Sequence, residues 1–176
     1  MKNSIKGYKA FNVDLTNRYG TSFEEGGKYS MNGRAVFGNR GNGFHFCQRL
    51  EDTLRYFDAM DGDVLIAEVV GSGDIVEFSD EYYGYYDMYA ATELKVLRVL
   101  SRQEIINMYM SVPSIRMVRF VQGFRLDDNE KELMRCCYAG DTNVLNAISY
   151  YQDGDKDVYS RESDRVYSKK RKSNKN

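Results

Sequence analysis

The chain has 176 residues, 42% apolar and 29% charged, with a formal net charge of −1. That length and balance allow one domain with a real core and exclude a disordered chain. No apolar run approaches the roughly 18 residues that span a bilayer, and Met1 to Lys9 lacks the apolar stretch of a secretory signal, so a cytoplasmic location is expected.

Tyr8 to Phe11 reads as a short first strand, followed by a polar loop from Asn12 to Gly20. Ser22 to Tyr29 leads into a turn at Met31-Asn32-Gly33, and Ala35 to Phe37 reads as another short strand. A glycine-rich polar loop, Asn39 to Gly43, precedes a strand from Phe44 to Cys47. Leu50, Leu54, Phe57 and Met60 recur at helical spacing, which predicts a helix from Leu50 to Met60 stopped by Asp61-Gly62-Asp63. Val64 to Val70 is a dense β-prone run. Gly71-Ser72-Gly73 reads as a turn and Asp74 to Phe78 as the returning strand, the best hairpin candidate in the chain.

Leu94 to Leu100 gives a further strand. Ser101 and Glu104 fit a capping box that opens a helix to about Ser111. Pro113 interrupts, and helices are predicted over Ser114 to Val121, Leu133 to Tyr138 and Val144 to Tyr150. Lys131 to Ile148 resembles the helix pair of an ankyrin repeat through its Ala139-Gly140-Asp141 turn. A single copy has no neighbour to bury its faces, so a plain helical hairpin is expected. Strands and helices are segregated, which predicts an α+β fold. A mixed or antiparallel sheet with one inserted helix occupies residues 1–100, and a helical extension packed on it occupies 101–151. A polar, disordered basic tail occupies 152–176.

Residues 166–176 hold five basic residues and no acid, leaving twenty basic residues against 26 acidic ones in residues 1–165. The tail could touch nucleic acid, but the acidic body argues against a broad nucleic-acid face. Cys47, Cys136 and Cys137 cannot all pair, so reduced thiols are expected. One histidine and three scattered cysteines match no metal-binding pattern, and no metal is expected. The loop Gly38 to Gly43 lacks the Gly-Lys-Ser/Thr ending of a nucleotide-binding P-loop and reads as a plain turn.

Several features in fixed order resemble an uncharacterised domain of phage and prophage proteins. They are Gly7-Tyr8-Lys9-Ala10-Phe11-Asn12 with Asp14-Leu15-Thr16 and Arg18, then Gly27-Lys28-Tyr29, the Gly43-Phe44-His45-Phe46-Cys47 box, and Ala67-Glu68-Val69 before a glycine turn. Asn17 stands where that family usually has cysteine. The resemblance covers roughly residues 6–106 and implies a mobile-element origin without an established activity.

A more distant resemblance is to small ADP-ribosyltransferases, in which an aromatic strand carrying His or Arg, a glycine-aromatic strand running into a helix, and a later acidic strand complete the site. Here the first strand carries only Lys9, with Arg18 nearby. That resemblance implies an NAD site with Arg18 on the diphosphate, His45 on a ribose, and Tyr8 or Phe44 stacked on nicotinamide. Glu68, or else Glu77, would stabilise the developing oxocarbenium. Glu68 shares a strand face with Ile66 and Val70, which suits a sheet margin or a polar pocket. His45 alternates with Phe44 and Phe46, so the phenylalanines face the core and His45 faces out or into a cleft. Cys47 shares its face, although i and i+2 on one strand suit a Cys-His nucleophilic pair poorly.

Tyr82, Tyr83, Tyr85, Tyr86 and Tyr89 crowd around Gly84 among acids, a composition that suits a protein-binding loop better than a nucleic-acid one. The preferred reading is therefore a mobile-element protein, in the host cytoplasm, that binds a host protein as an inhibitor and needs no cofactor. The alternative is an NAD-dependent ADP-ribosyltransferase-like enzyme, with Glu68, His45 and Arg18 as catalytic residues, modifying a protein or nucleic acid.

Overall fold

The computed structural model describes residues 4–37, 41–57, 64–78 and 88–155. The chain divides into two compact units at Ile105/Ile106. In the first unit the strands are β1 (Ile5–Phe11), β2 (Lys28–Ser30), β3 (Phe44–Cys47), β4 (Leu65–Phe78) and β5 (Met88–Val99), with helix α1 (Leu50–Thr53) between β3 and β4. Helix α2 (Arg102–Tyr109) follows and contains the division. The fold is α+β, and every pairing among the five strands is antiparallel.

The sheet order is β2-β5-β3-β1-β4, and β4 also pairs with β5. The pairings β1–β4–β5–β3–β1 thus form a closed circuit, which leaves fewer open strand edges. β4 takes one edge of β5 along nearly its whole length, while β3 and β2 share the other. Directly opposed residues share a face, so Phe11 opposite Leu65 and Gly7 opposite Val69 point inward. With Phe23, Phe46, Tyr89, Leu94 and Val96 they build the core.

Gly71-Ser72-Gly73 is not a turn. β4 runs straight through it, and the ladder shifts between Ser72 and Ile75. Gly73 and Asp74 oppose the single residue Thr92, whose Oγ1 accepts the Asp74 N–H at 2.9 Å. Gly73 has φ +80°, which a glycine adopts at little cost, and the result is a β-bulge. The predicted hairpin inside β4 is thereby corrected to one between β4 and β5, and β5 begins at Met88 rather than Leu94.

Other expected elements are shorter or absent. Residues 34–37 form no strand. Ala35 N–H goes to Asp74 Oδ2 at 2.8 Å and Val36 N–H to Asn42 O, so that backbone is held by a side chain and a loop. Helix α1 ends at Thr53 and not at Met60, and a turn follows it. Residues 58–63 lie outside the described residues.

Phe46 fixes how the strands approach. It is 2% exposed and stacks on Tyr89 at 5.5 Å between ring centroids. A β-carbon on Gly71 would lie 2.3 Å from its ring, and one on Gly7 would lie 2.9 Å from it and 2.3 Å from the Cys47 carbonyl oxygen.

The second unit holds the end of α2 with α3 (Ser114–Gly123), α4 (Asp128–Cys137), α5 (Thr142–Ala147) and a π turn, Ile148–Gln152. Asp127 and Glu130 form a reciprocal capping box, which starts α4 five residues before the expected Leu133. The Asp141 side chain caps α5 by accepting the N–H groups of Asn143 and Val144. Tyr109 stacks on Phe120 at 3.8 Å, and the Tyr138 hydroxyl donates to the carbonyls of Tyr109 and Val112. Gln152 donates to Val121 O and Phe124 O and accepts from Leu126 N–H. The basic tail, 166–176, lies outside the described residues.

Gly71→Ala should destabilise the first unit by about 2 kcal/mol or more, because the added methyl overlaps a locked aromatic ring. Phe46→Leu in the same chain should recover part of that loss. Gly7→Ala should not be recovered in this way, since its methyl also meets backbone. Chemical denaturation of the single and double variants checks the coupling.

Candidate functional site

β1 and β3 share one pair of opposed residues, Tyr8 and Cys47. Past it, Lys9 to Phe11 pair with β4, and Phe44 to Phe46 pair with β5. A cleft of about 530 Å³ lies along this stretch, lined by Tyr8, Lys9, Phe44 and His45, with Arg18, Tyr19 and Tyr56 also contributing. Four of the residues expected at an NAD site, Tyr8, Arg18, Phe44 and His45, therefore meet in one place.

Arg18 and Tyr19 come from a loop that bonds to itself. Asn17 Oδ1 accepts the N–H groups of Tyr19 and Thr21, both at 2.9 Å, while Asn12 donates to Thr16 and Asp14 Oδ1 accepts from Thr16. Phe23 N–H closes the loop onto Leu15 O. The Arg18 side chain is exposed, Tyr19 is 70% exposed, and neither is used to hold the loop. Asn42, from the opposite side, ties the segment before β3 through Asn32 O and Arg34 O.

Lys9 belongs to the site although its place in the first strand marks it only as a poor substitute for His or Arg. It lies opposite the fully buried Ala67, on the inward face with Phe11. Its Nζ donates to the His45 carbonyl at 2.7 Å and lies 5.6 Å from the Phe11 ring centroid. No Asp or Glu lines the cleft among the described residues. Burial, opposed in smaller measure by Cys47, pushes the Lys9 amine down from its usual 10.5 to about 8. The signal in the sequence is the alternation Gly7, Lys9, Phe11, which puts the lysine on the core face.

His45 places its ring edge-on to Phe37 at 4.9 Å. Its Nε2 is buried and has no hydrogen-bond partner among the described residues. Burial, and then the positive charge of Lys9, hold the imidazole below its usual 6.5, so it is neutral at pH 7. Cys47 is 3% exposed, and burial, then the charge of Asp52, push its thiol well above the ordinary range. It is no nucleophile at neutral pH. Glu51 and Asp52 are themselves buried in α1, an acidic pair behind the cleft that the expected amphipathic helix did not signal.

Glu68 is not in this cleft. It sits on the outer face of β4 opposite Arg98, which binds it at 3.0 Å and also binds Glu104. Glu104 in turn accepts Ser101 N–H at 2.8 Å, the capping box foreseen from sequence. Glu77 meets the Tyr89 hydroxyl at 3.4 Å and does not line the cleft either. The expected trio of Glu68, His45 and Arg18 is thus not assembled around one cavity. Tyr89 departs from the expected exposed cluster, being 7% exposed within β5 and packed on Phe46. Tyr82, Tyr83, Tyr85 and Tyr86 lie outside the described residues. The described residues include no group of three or more His, Cys, Asp or Glu that could hold a metal, and no helix among them is long and apolar enough to cross a membrane.

His45 is the only histidine, so its titration can be read without interference. The unfolded chain takes up this proton near 6.5 and the folded chain resists it. Stability should therefore fall as pH drops from 6.5 to the folded pKa and level off below it. Proton NMR of the imidazole should give a midpoint below 6.5, and His45→Gln should remove that part of the pH dependence of unfolding.

No curated protein and no solved structure matches the chain. A family match does cover residues 5–108, from the first residue of β1 almost to the end of α2, and it contains the whole cleft. With more than half of its length inside that match, the chain belongs to the family of the domain of unknown function DUF7666.

Proposed function

We propose that the first unit binds an anionic, planar small molecule of nucleotide type in the cleft between β1 and β3. The observation that carries this reading is a cleft containing two cationic side chains, Lys9 and Arg18, and several aromatic rings, with no carboxylate in its lining among the described residues. Cations attract phosphate, aromatic faces stack on a base or nicotinamide, and the absent acids leave nothing to repel an anion. NAD is the ligand that the ADP-ribosyltransferase resemblance implies. Transfer chemistry is a weaker part of the proposal, since Glu68 is engaged with Arg98 outside the cleft.

A second reading is recognition of a host protein, in keeping with the phage and prophage resemblance. The observation in its favour is that Phe78, the last residue of β4 before the tyrosine-rich sequence, is 39% exposed.

Calorimetric titration with NAD+ and ADP-ribose separates these readings. Saturable binding is expected, weakened about 10- to 100-fold by Arg18→Ala through loss of a charge-assisted contact and unchanged by Glu68→Ala. No saturable binding of either compound at millimolar concentration would sink the nucleotide reading and turn attention to the tyrosine segment.

A further inference from the structure

We propose that Lys9 is a reactive amine that condenses with the carbonyl group of a small anionic aldehyde or ketone held in the cleft. The inference uses the cavity of the preceding section but not its ligand, so either can fail alone. Three observations point the same way. Lys9 lies on the inward face of β1, against uncharged Ala67 on the β4 side. Its Nζ has one neutral acceptor, the His45 carbonyl at 2.7 Å, and makes no ion pair among the described residues. The side chain lines a cavity of about 530 Å³, room enough for a small organic molecule, with the exposed Arg18 at its wall to hold an anionic group.

The titratable groups that line the cleft with the amine are uncharged or cationic. β3 contributes the neutral imidazole of His45 and the protonated thiol of Cys47, with the acids of α1, Glu51 and Asp52, behind that thiol. The loop before β2 contributes Arg18 and Tyr19, and Tyr8 and Tyr56 complete the titratable groups at the cleft. A lysine at about 8 keeps roughly a tenth of its amine unprotonated at pH 7, far more than an exposed lysine does. The nitrogen lone pair attacks the carbonyl carbon, forming a C–N bond while the oxygen takes a proton. The carbinolamine then loses that oxygen as water and the C=N bond forms. Amine and carbonyl give imine and water, with no change of oxidation level. The proton passes from the nitrogen to the departing oxygen, and solvent in the cleft can carry it.

Pyridoxal 5′-phosphate is a suitable probe, since it is planar, anionic and an aldehyde. The full chain is incubated with it, reduced with sodium borohydride and mapped by peptide mass spectrometry. Lys9 should be modified at least tenfold faster than the exposed Lys6, Lys28 and Lys95, with a rate that rises through pH 8 and then levels. Arg18→Ala should require at least tenfold more probe, and pyridoxal without its phosphate should label Lys9 poorly. Lys9→Arg should abolish the preferred label while circular dichroism stays native. Should that variant fail to fold, trace acetylation of the unaltered protein across pH 6–11 reads the same amine directly. Even labelling of all lysines, or acetylation at Lys9 with an ordinary midpoint near 10.5, would overturn the proposal.

Discussion

The ring of Phe46 occupies the space where residues 7 and 71 would otherwise carry β-carbons. This single contact decides how near β3, β1 and β4 can come. With glycine at both positions the strands close around the ring, and Tyr89 covers it by stacking. Closure is achieved at Tyr8 and Cys47, where β1 and β3 are opposed. The cleft lies along the strand residues beyond that pair. The core and the cavity are thus consequences of the same packing, because the ring that seals one stretch of the sheet defines where the seal stops.

Charge is divided between the two faces of β1 and β4. On the outer face Glu68 and Glu104 share the single cation Arg98 in solvent, where such a network contributes little to stability. On the inner face Lys9 has only a carbonyl oxygen. An ammonium ion in that position is costly, and the molecule responds by lowering its proton affinity rather than by supplying a carboxylate. An electrostatic cost retained at a cavity wall is a common mark of a working site, though structural networks produce such shifts as well.

Much of the architecture was legible because it depends on local signals. Alternation at Phe44-His45-Phe46 fixed which residues face inward, and Ser101/Glu104 marked the start of α2. The α+β class followed from the order of elements. What was not legible depended on tertiary pairing. Gly71-Ser72-Gly73 has turn composition, yet Thr92 accepts the Asp74 N–H and keeps the strand extended. The period of the Leu50 segment suggests two or three turns of helix, yet α1 spans only Leu50–Thr53. Arg18, His45, Tyr8 and Phe44 all line the one cleft. Glu68 does not, because strand alternation assigns a face without saying what lies over it. Lys9 stands in the first strand where the resemblance calls for His or Arg, and only the pairing with Ala67 shows that it faces inward.

The loop from Asn12 to Phe23 supports its own shape through short polar side chains and backbone groups. The side chains of Arg18 and Tyr19 take no part in that support. The scaffold and the chemistry it displays are therefore separable. Substitutions at these two positions can retune which molecule is welcomed at the cleft while the framework remains unaltered, so selectivity here can change in single steps without passing through an unfolded variant.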